Sequence, residues 1–175
     1  MNIVLIGMPG SGKTSIGKKL AVNLNYAFID VDDLIKRKTQ MELQAYIDKF
    51  GDEAFLKIEE KTVLDLHVQN CVISPGGSIV YSQEAIHHLK RNSLILFLDA
   101  SFETLKTRIS DVERRGIVFL RRKSYKELFS ERRSLYQKYS DRILKIDGLT
   151  VEQVIDKITE SLNQSQSRTH SKGDS

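Results

Sequence analysis

Short, almost unbroken apolar runs recur along the chain, separated by longer stretches in which apolar residues return every three or four positions. The runs predict strands over Asn2–Ile6, Ala27–Asp30, Cys71–Ser74, Leu94–Leu98 and Arg142–Ile146. Helical spacing or composition covers Lys13–Leu24, Val31–Lys38, Glu42–Lys49, Asp52–Leu66, Gln83–Lys90, Phe102–Ile109, Tyr125–Tyr139 and Val151–Leu162. In the last of these, Val151, Val154, Ile155, Ile158 and Leu162 fall on one face, and Thr150 stands where an N-cap belongs. Ser82 and Ser101 stand in the same position before two other helices. Strands that are apolar throughout, each followed by a helix, imply an α/β fold: a five-stranded parallel sheet flanked by helices.

Two segments escape this rhythm. Residues 110–124, SDVERRGIVFLRRKS, have no clean period and many cations, which predicts a mobile loop. The tail 163–175, NQSQSRTHSKGDS, is polar and free of aromatics, which predicts disorder. One domain over 1–162 remains, a size that can bury a substantial core.

Composition narrows the function classes. The net charge of +4 is mild, and the cations of the second half are interleaved with acids. They favour anionic ligands locally but form no basic stripe with stacking aromatics, so nucleic acid is not expected. The single cysteine, Cys71, cannot form an internal disulfide and sits in an apolar strand, as a small buried residue does in a reducing compartment. The longest apolar runs, NIVLIGM and LILFL, are too short to cross a bilayer, and the N-terminus has no secretory pattern. A cytoplasmic location is expected.

Chemistry enters at the end of the first strand. Gly7-Met8-Pro9-Gly10-Ser11-Gly12-Lys13-Thr14 fits G-x-x-x-x-G-K-[ST] between a buried strand and an amphipathic helix. Glycines let the backbone aim its N–H groups at phosphate oxygens, and the helix start adds its positive dipole end. Gly10, Ser11, Gly12, Lys13, Thr14 and Ser15 are the expected nucleotide set, with Lys13 reaching the outer phosphates and the Thr14 hydroxyl ligating Mg²⁺. After the second strand come Asp30, Asp32 and Asp33, beyond the carboxyl end of a parallel strand, where ligands of such sheets lie. Asp30 and Asp32 suit Mg²⁺ and an acceptor hydroxyl, the two needs of phosphoryl transfer. Capping of the next helix by Asp32 or Asp33 is the plainer reading, preferred for Asp33.

Together GMPGSGKTSIGKKLA, FIDVDD, FGDEAF…EE, the PGG turn, LFLDAS…L and ERRSLY resemble the shikimate kinase family, of the nucleoside-monophosphate-kinase P-loop type, from Asn2 to about Leu162. The resemblance implies transfer of the γ-phosphoryl of MgATP to a hydroxyl of shikimate. It implies that Asp30 holds Mg²⁺ through water, and that Asp32 binds the acceptor hydroxyls and helps deprotonate the attacking one. Gly76 and Gly77 would present backbone N–H groups to the acceptor, and Arg132 would pair with its carboxylate. Arg115, on a lid at 110–124, would close over the phosphates as a catalytic residue alongside Lys13 and Asp32, and Arg108 would lie against adenine. ATP and a small hydroxylated acid are the expected partners, with the chain acting as a monomer. The plainer readings make Arg108 an exposed helix cation, Arg132 and Arg133 surface partners of Glu131 or Glu127, and Gly76–Gly77 an ordinary turn.

The chain departs from the family pattern on the acceptor side. Leu56 stands where the family has arginine, and Lys57 cannot replace it, because one helical step turns a side chain by about 100°. Ser78 replaces a third glycine, which predicts a narrower pocket or an added hydrogen bond. The lid reads Arg-Gly-Ile in place of Arg-Pro-Leu. A kinase of the same fold acting on another hydroxylated metabolite, and a non-catalytic nucleotide-binding module, are the competing functions.

Overall fold

A computed structural model describes residues 1–108 and 116–170, with side chains through residue 163. Five parallel strands, β1 (Asn2–Ile6), β2 (Ala27–Asp30), β3 (Cys71–Ser74), β4 (Ser93–Asp99) and β5 (Arg142–Lys145), form one sheet in the order β2-β3-β1-β4-β5. The helices are α1 (Lys13–Leu24), α2 (Val31–Thr39), α3 (Leu43–Phe50), α4 (Asp52–Leu64), α5 (Gln83–Lys90), α6 (Phe102–Arg108), α7 (Tyr125–Tyr139) and α8 (Val151–His170). Every residue of β1 is buried, so both faces of the central strand are covered, as its unbroken apolar run requires. Ser82 caps α5 through the Ala85 N–H at 3.0 Å, and Thr150 accepts from the Gln153 N–H at 3.3 Å.

The strand ends place the site. β2 and β3 pair in register with Asp30 opposite Ser74, so the acids after β2 and the turn after β3 share one rim. β1 reaches that rim between β3 and β4 and delivers the glycine loop to the centre of the sheet. Asp30 ends β2 and also caps α2, its Oδ1 accepting from the Asp32 N–H at 3.1 Å. The cap expected of Asp33 therefore falls to Asp30, because strand runs into helix with no loop between.

Parts of the two segments that escape the sequence rhythm are described. α8 runs on to His170, where a disordered tail from 163 was expected. No glycine or proline occurs between Asn163 and His170, so nothing polar there breaks the helix. Of the segment 110–124, residues 116–124 form turns packed on the body of the protein, with Ile117 and Val118 buried; residues 110–115 lie outside the described residues. Among the described residues no helix is long and apolar enough to cross a membrane.

Candidate active site

The loop Gly7–Thr14 is shaped by its own glycines. Gly12 has φ 90° and Gly10 φ 84°, left-handed geometry that a side chain would strain. The turn is closed by the Ser11 N–H on Met8 O at 3.1 Å, and Lys13 Nζ donates to Gly7 O at 2.8 Å and Met8 O at 3.1 Å. Gly10, Gly12, Lys13, Thr14 and Ser15 line a cavity of about 670 Å³. Ser11 does not: its side chain turns inward, with Oγ buried and unbonded.

Asp30 and Asp32 line the same cavity. Thr14 Oγ1 donates to Asp30 Oδ2 at 2.9 Å, which brings two hard oxygen ligands together beside the loop, the donor chemistry that Mg²⁺ selects. Burial, reinforced by the charge of Asp30, raises the Asp32 carboxyl to about 6. Burial also lowers Lys13 to about 8, against the pull of Asp32 and Asp30. The two shifts bring a base and an ammonium close to neutrality on one cavity wall.

A second wall belongs to α7. Arg132 is only 1% exposed, although it lines the cavity. Its Nη2 donates to Val118 O at 2.8 Å, its Nε to the Tyr81 hydroxyl at 3.3 Å, and its guanidinium lies 5.3 Å from the Tyr81 ring centre. Among the described residues no carboxylate lies within ion-pair range of it. A buried cation without a carboxylate is costly unless an anion arrives. Arg133, one helical step on, instead forks onto Asp99 at 2.9 and 2.7 Å. The plainer alternative, a surface pair of these arginines with Glu131 or Glu127, is not what forms: Glu131 bonds Lys123, and Glu127 closes the capping box at Ser124.

Gly76 and Gly77 form the third wall, and close approach explains both. A Cβ on Gly77 would press within 3.0 Å of Pro9 Cδ, 3.1 Å of the Tyr136 hydroxyl and 3.2 Å of Arg132 Nη1. On Gly76 it would collide with Glu59 Oε1 and come within 3.0 Å of Asp32 Oδ1. Tyr136, fully buried, donates to Gly77 O at 2.6 Å and ties the turn to α7. Arg108 is exposed at the cavity edge. Arg115 lies outside the described residues, but Gly116 follows it against Leu43, and Phe119 N–H donates to Asp52 Oδ1 at 2.9 Å. The segment after Arg115 is therefore fastened over the cavity.

Leu56 does not face this cavity. It opens instead, with Glu59, Ser78 and Tyr81, onto a smaller one of about 100 Å³ behind the Gly76–Ser78 turn. Ser78 supplies the added hydrogen bond, Oγ to Glu59 Oε2 at 2.7 Å. Glu59, Tyr81 and Tyr136 escape the sequence reading. The signal for Glu59 is an acid four residues after Phe55, on the same buried stripe as Thr62 and Val63.

A parallel sheet with a glycine loop at its centre, acids on one wall and a fastened segment above defines a P-loop phosphotransferase of the nucleoside-monophosphate-kinase type. The family profile described as Shikimate kinase matches residues 9–163. The chain belongs to the shikimate kinase family. It is 38% identical to the shikimate kinase of Thermodesulfovibrio yellowstonii over 160 residues, which span 90% of this chain and 92% of the relative. The shikimate kinase of Caldanaerobacter subterraneus is 33% identical over 160 residues, 90% of this chain and 93% of that one. Among solved structures, shikimate kinase from Aquifex aeolicus superposes with TM-score 0.82 at 32% identity, over 95% of this chain and 98% of that one. Shikimate kinase from Acinetobacter baumannii in complex with shikimate superposes with TM-score 0.86 at 24% identity, over 94% of this chain and 93% of that one, a likeness of fold.

Proposed function

We propose that this chain transfers the γ-phosphoryl group of ATP to a hydroxyl of shikimate, with the acceptor carboxylate seated on Arg132 and the reacting hydroxyl on Asp32. The observation that carries the reading is Arg132: buried, free of a carboxylate partner among the described residues, and beside Gly77 on the cavity wall. That environment calls for a small anion, and arginine is suited to a carboxylate by its planar fork.

The loop amides from Gly10 to Ser15 bind the phosphates, and Lys13 exchanges its loop carbonyls for their outer oxygens. Thr14 and Asp30 would hold Mg²⁺, which would supply positive charge against the phosphate oxygens. Asp32 orients the acceptor hydroxyl and takes its proton as the O–P bond forms, a role helped by its raised proton affinity. Gly76 and Gly77 let the acceptor approach the backbone closely. Arg115 closes on the transferring group, and Arg108 lies along adenine at the cavity edge. The closed segment over Ile117 and Val118 keeps water from competing with the acceptor hydroxyl.

Coupled ADP release, measured with shikimate and with a panel of other hydroxylated acids, tests the function. Shikimate is expected to stimulate release, with one phosphorylated product per ADP. Turnover of another acid with none of shikimate would replace the acceptor; ATP binding without stimulation by any acid would make the chain a non-catalytic nucleotide-binding module.

A further inference from the structure

Two of the departures from the family pattern, Leu56 and Ser78, meet at one buried carboxyl group. Glu59 is 1% exposed on α4. Its Oε2 accepts from Ser78 Oγ at 2.7 Å, while its Oε1 is buried without a hydrogen-bond partner. That orphan oxygen lies against the Cα of Gly76, on the side from which Asp32 Oδ1 also approaches. Leu56, one helical turn before Glu59, shares the small cavity behind the turn and offers it no charge.

We propose that Glu59 is a positioning residue, a carboxylic acid kept neutral by burial without a cation and anchored by the Ser78 hydroxyl, and that it fixes the Gly76–Ser78 turn which shapes the acceptor pocket. Ser78 and Leu56 are then a matched pair: Leu56 leaves the carboxyl without a cation, and Ser78 supplies the neutral donor it needs instead. The proposal rests on the acceptor reading above, because it concerns the wall of that same pocket.

A neutral acid agrees with what surrounds Glu59. Asp32 of α2 brings negative charge toward the same point, while Lys13 of α1 and Arg132 of α7 act on it without forming an ion pair. Tyr81 faces it across the small cavity, with Glu53, Lys57 and Glu60 of its own helix at the cavity's edge. Burial raises its carboxyl to about 8, the Ser78 bond opposing. Removing one partner of a buried hydrogen bond leaves the other unsatisfied, a penalty on the order of tenfold in an equilibrium.

The test is a set of variants read by steady-state kinetics and infrared spectroscopy. Glu59→Gln keeps shape and neutrality, so it should stay within about twofold of the parent in kcat and in KM for shikimate. Ser78→Gly should raise the shikimate KM about tenfold while leaving the ATP KM unchanged. With Leu56→Arg in place, Glu59 gains a cation at i−3. There Ser78→Gly should cost little and Glu59→Gln should become damaging. The parent should show the carbonyl stretch of a protonated buried carboxylic acid at neutral pH, lost in Glu59→Gln and in Leu56→Arg.

The proposal is overturned if Glu59→Gln raises the shikimate KM as far as Ser78→Gly does, if Ser78→Gly costs the same in both backgrounds, or if the infrared band is absent. The band needs no substrate. A parent that fails on shikimate but shows the band therefore overturns the acceptor reading and supports the neutral Glu59.

Discussion

The two halves of the site are built by different means. The phosphate side is one contiguous segment, Gly7–Ser15, whose geometry is local: glycine backbone angles, one turn closed by Ser11 on Met8, and the start of α1. The acceptor side is assembled from distant segments: Asp32 on α2, Glu59 on α4, Gly76–Ser78 after β3, Val118 before α7, and Arg132 and Tyr136 on it. A local device tolerates change elsewhere in the chain, whereas an assembled one depends on every packing contact between its parts. Chain-specific departures accordingly appear on the assembled side, at Leu56 and Ser78.

This contrast can be broken by substitution. The largest effect is expected where the halves meet. Asp32→Asn removes the proposed proton acceptor and should lower kcat by about 10²–10⁴, with ATP binding by calorimetry unchanged. Arg132→Met acts on the acceptor half alone. Losing a charged hydrogen-bond donor to the substrate carboxylate should raise the shikimate KM by about 10–100-fold and leave the ATP KM within twofold. If the ATP KM moved equally, the halves would not be separable.

Smaller effects concern how the assembled wall is held. Gly76→Ala drives a Cβ into Glu59 Oε1 and should destabilise the fold by about 1–3 kcal/mol in urea unfolding. The pH dependence of stability isolates Glu59. Its carboxyl is raised in the folded state from an ordinary 4.5 to about 8, so the folded protein holds the proton more tightly than the unfolded chain. The stabilisation from Glu59 is full below about 4.5 and lost as pH rises through about 8. Melting scans should show the parent losing stability across that window and Glu59→Gln losing less.

The same contrast explains what the sequence revealed. Buried parallel strands are continuous apolar runs, so β1 and β3 carry the expected limits, as does the half-exposed edge strand β2, and the contiguous phosphate loop is visible as a motif. The assembled half is legible only in pieces. Arg132 and Arg133 are adjacent in sequence, yet a turn of about 100° sends one into the cavity and the other onto Asp99; nothing local says which. Glu59 is a charged letter on an apolar stripe, and its partner lies 19 residues away. Asp30 caps α2 because β2 passes straight into it, so the capping oxygen comes from the last residue of the strand and not from Asp33 inside the helix.

The central claim is that the acceptor half holds shikimate between Arg132 and Asp32. A crystal structure of the chain with ADP and shikimate tests it most directly. The account predicts the shikimate carboxylate on the Arg132 guanidinium and a ring hydroxyl within hydrogen-bond reach of Asp32, beside Gly77. Shikimate bound with its carboxylate away from Arg132, or an acceptor cavity that shikimate does not enter, would contradict it.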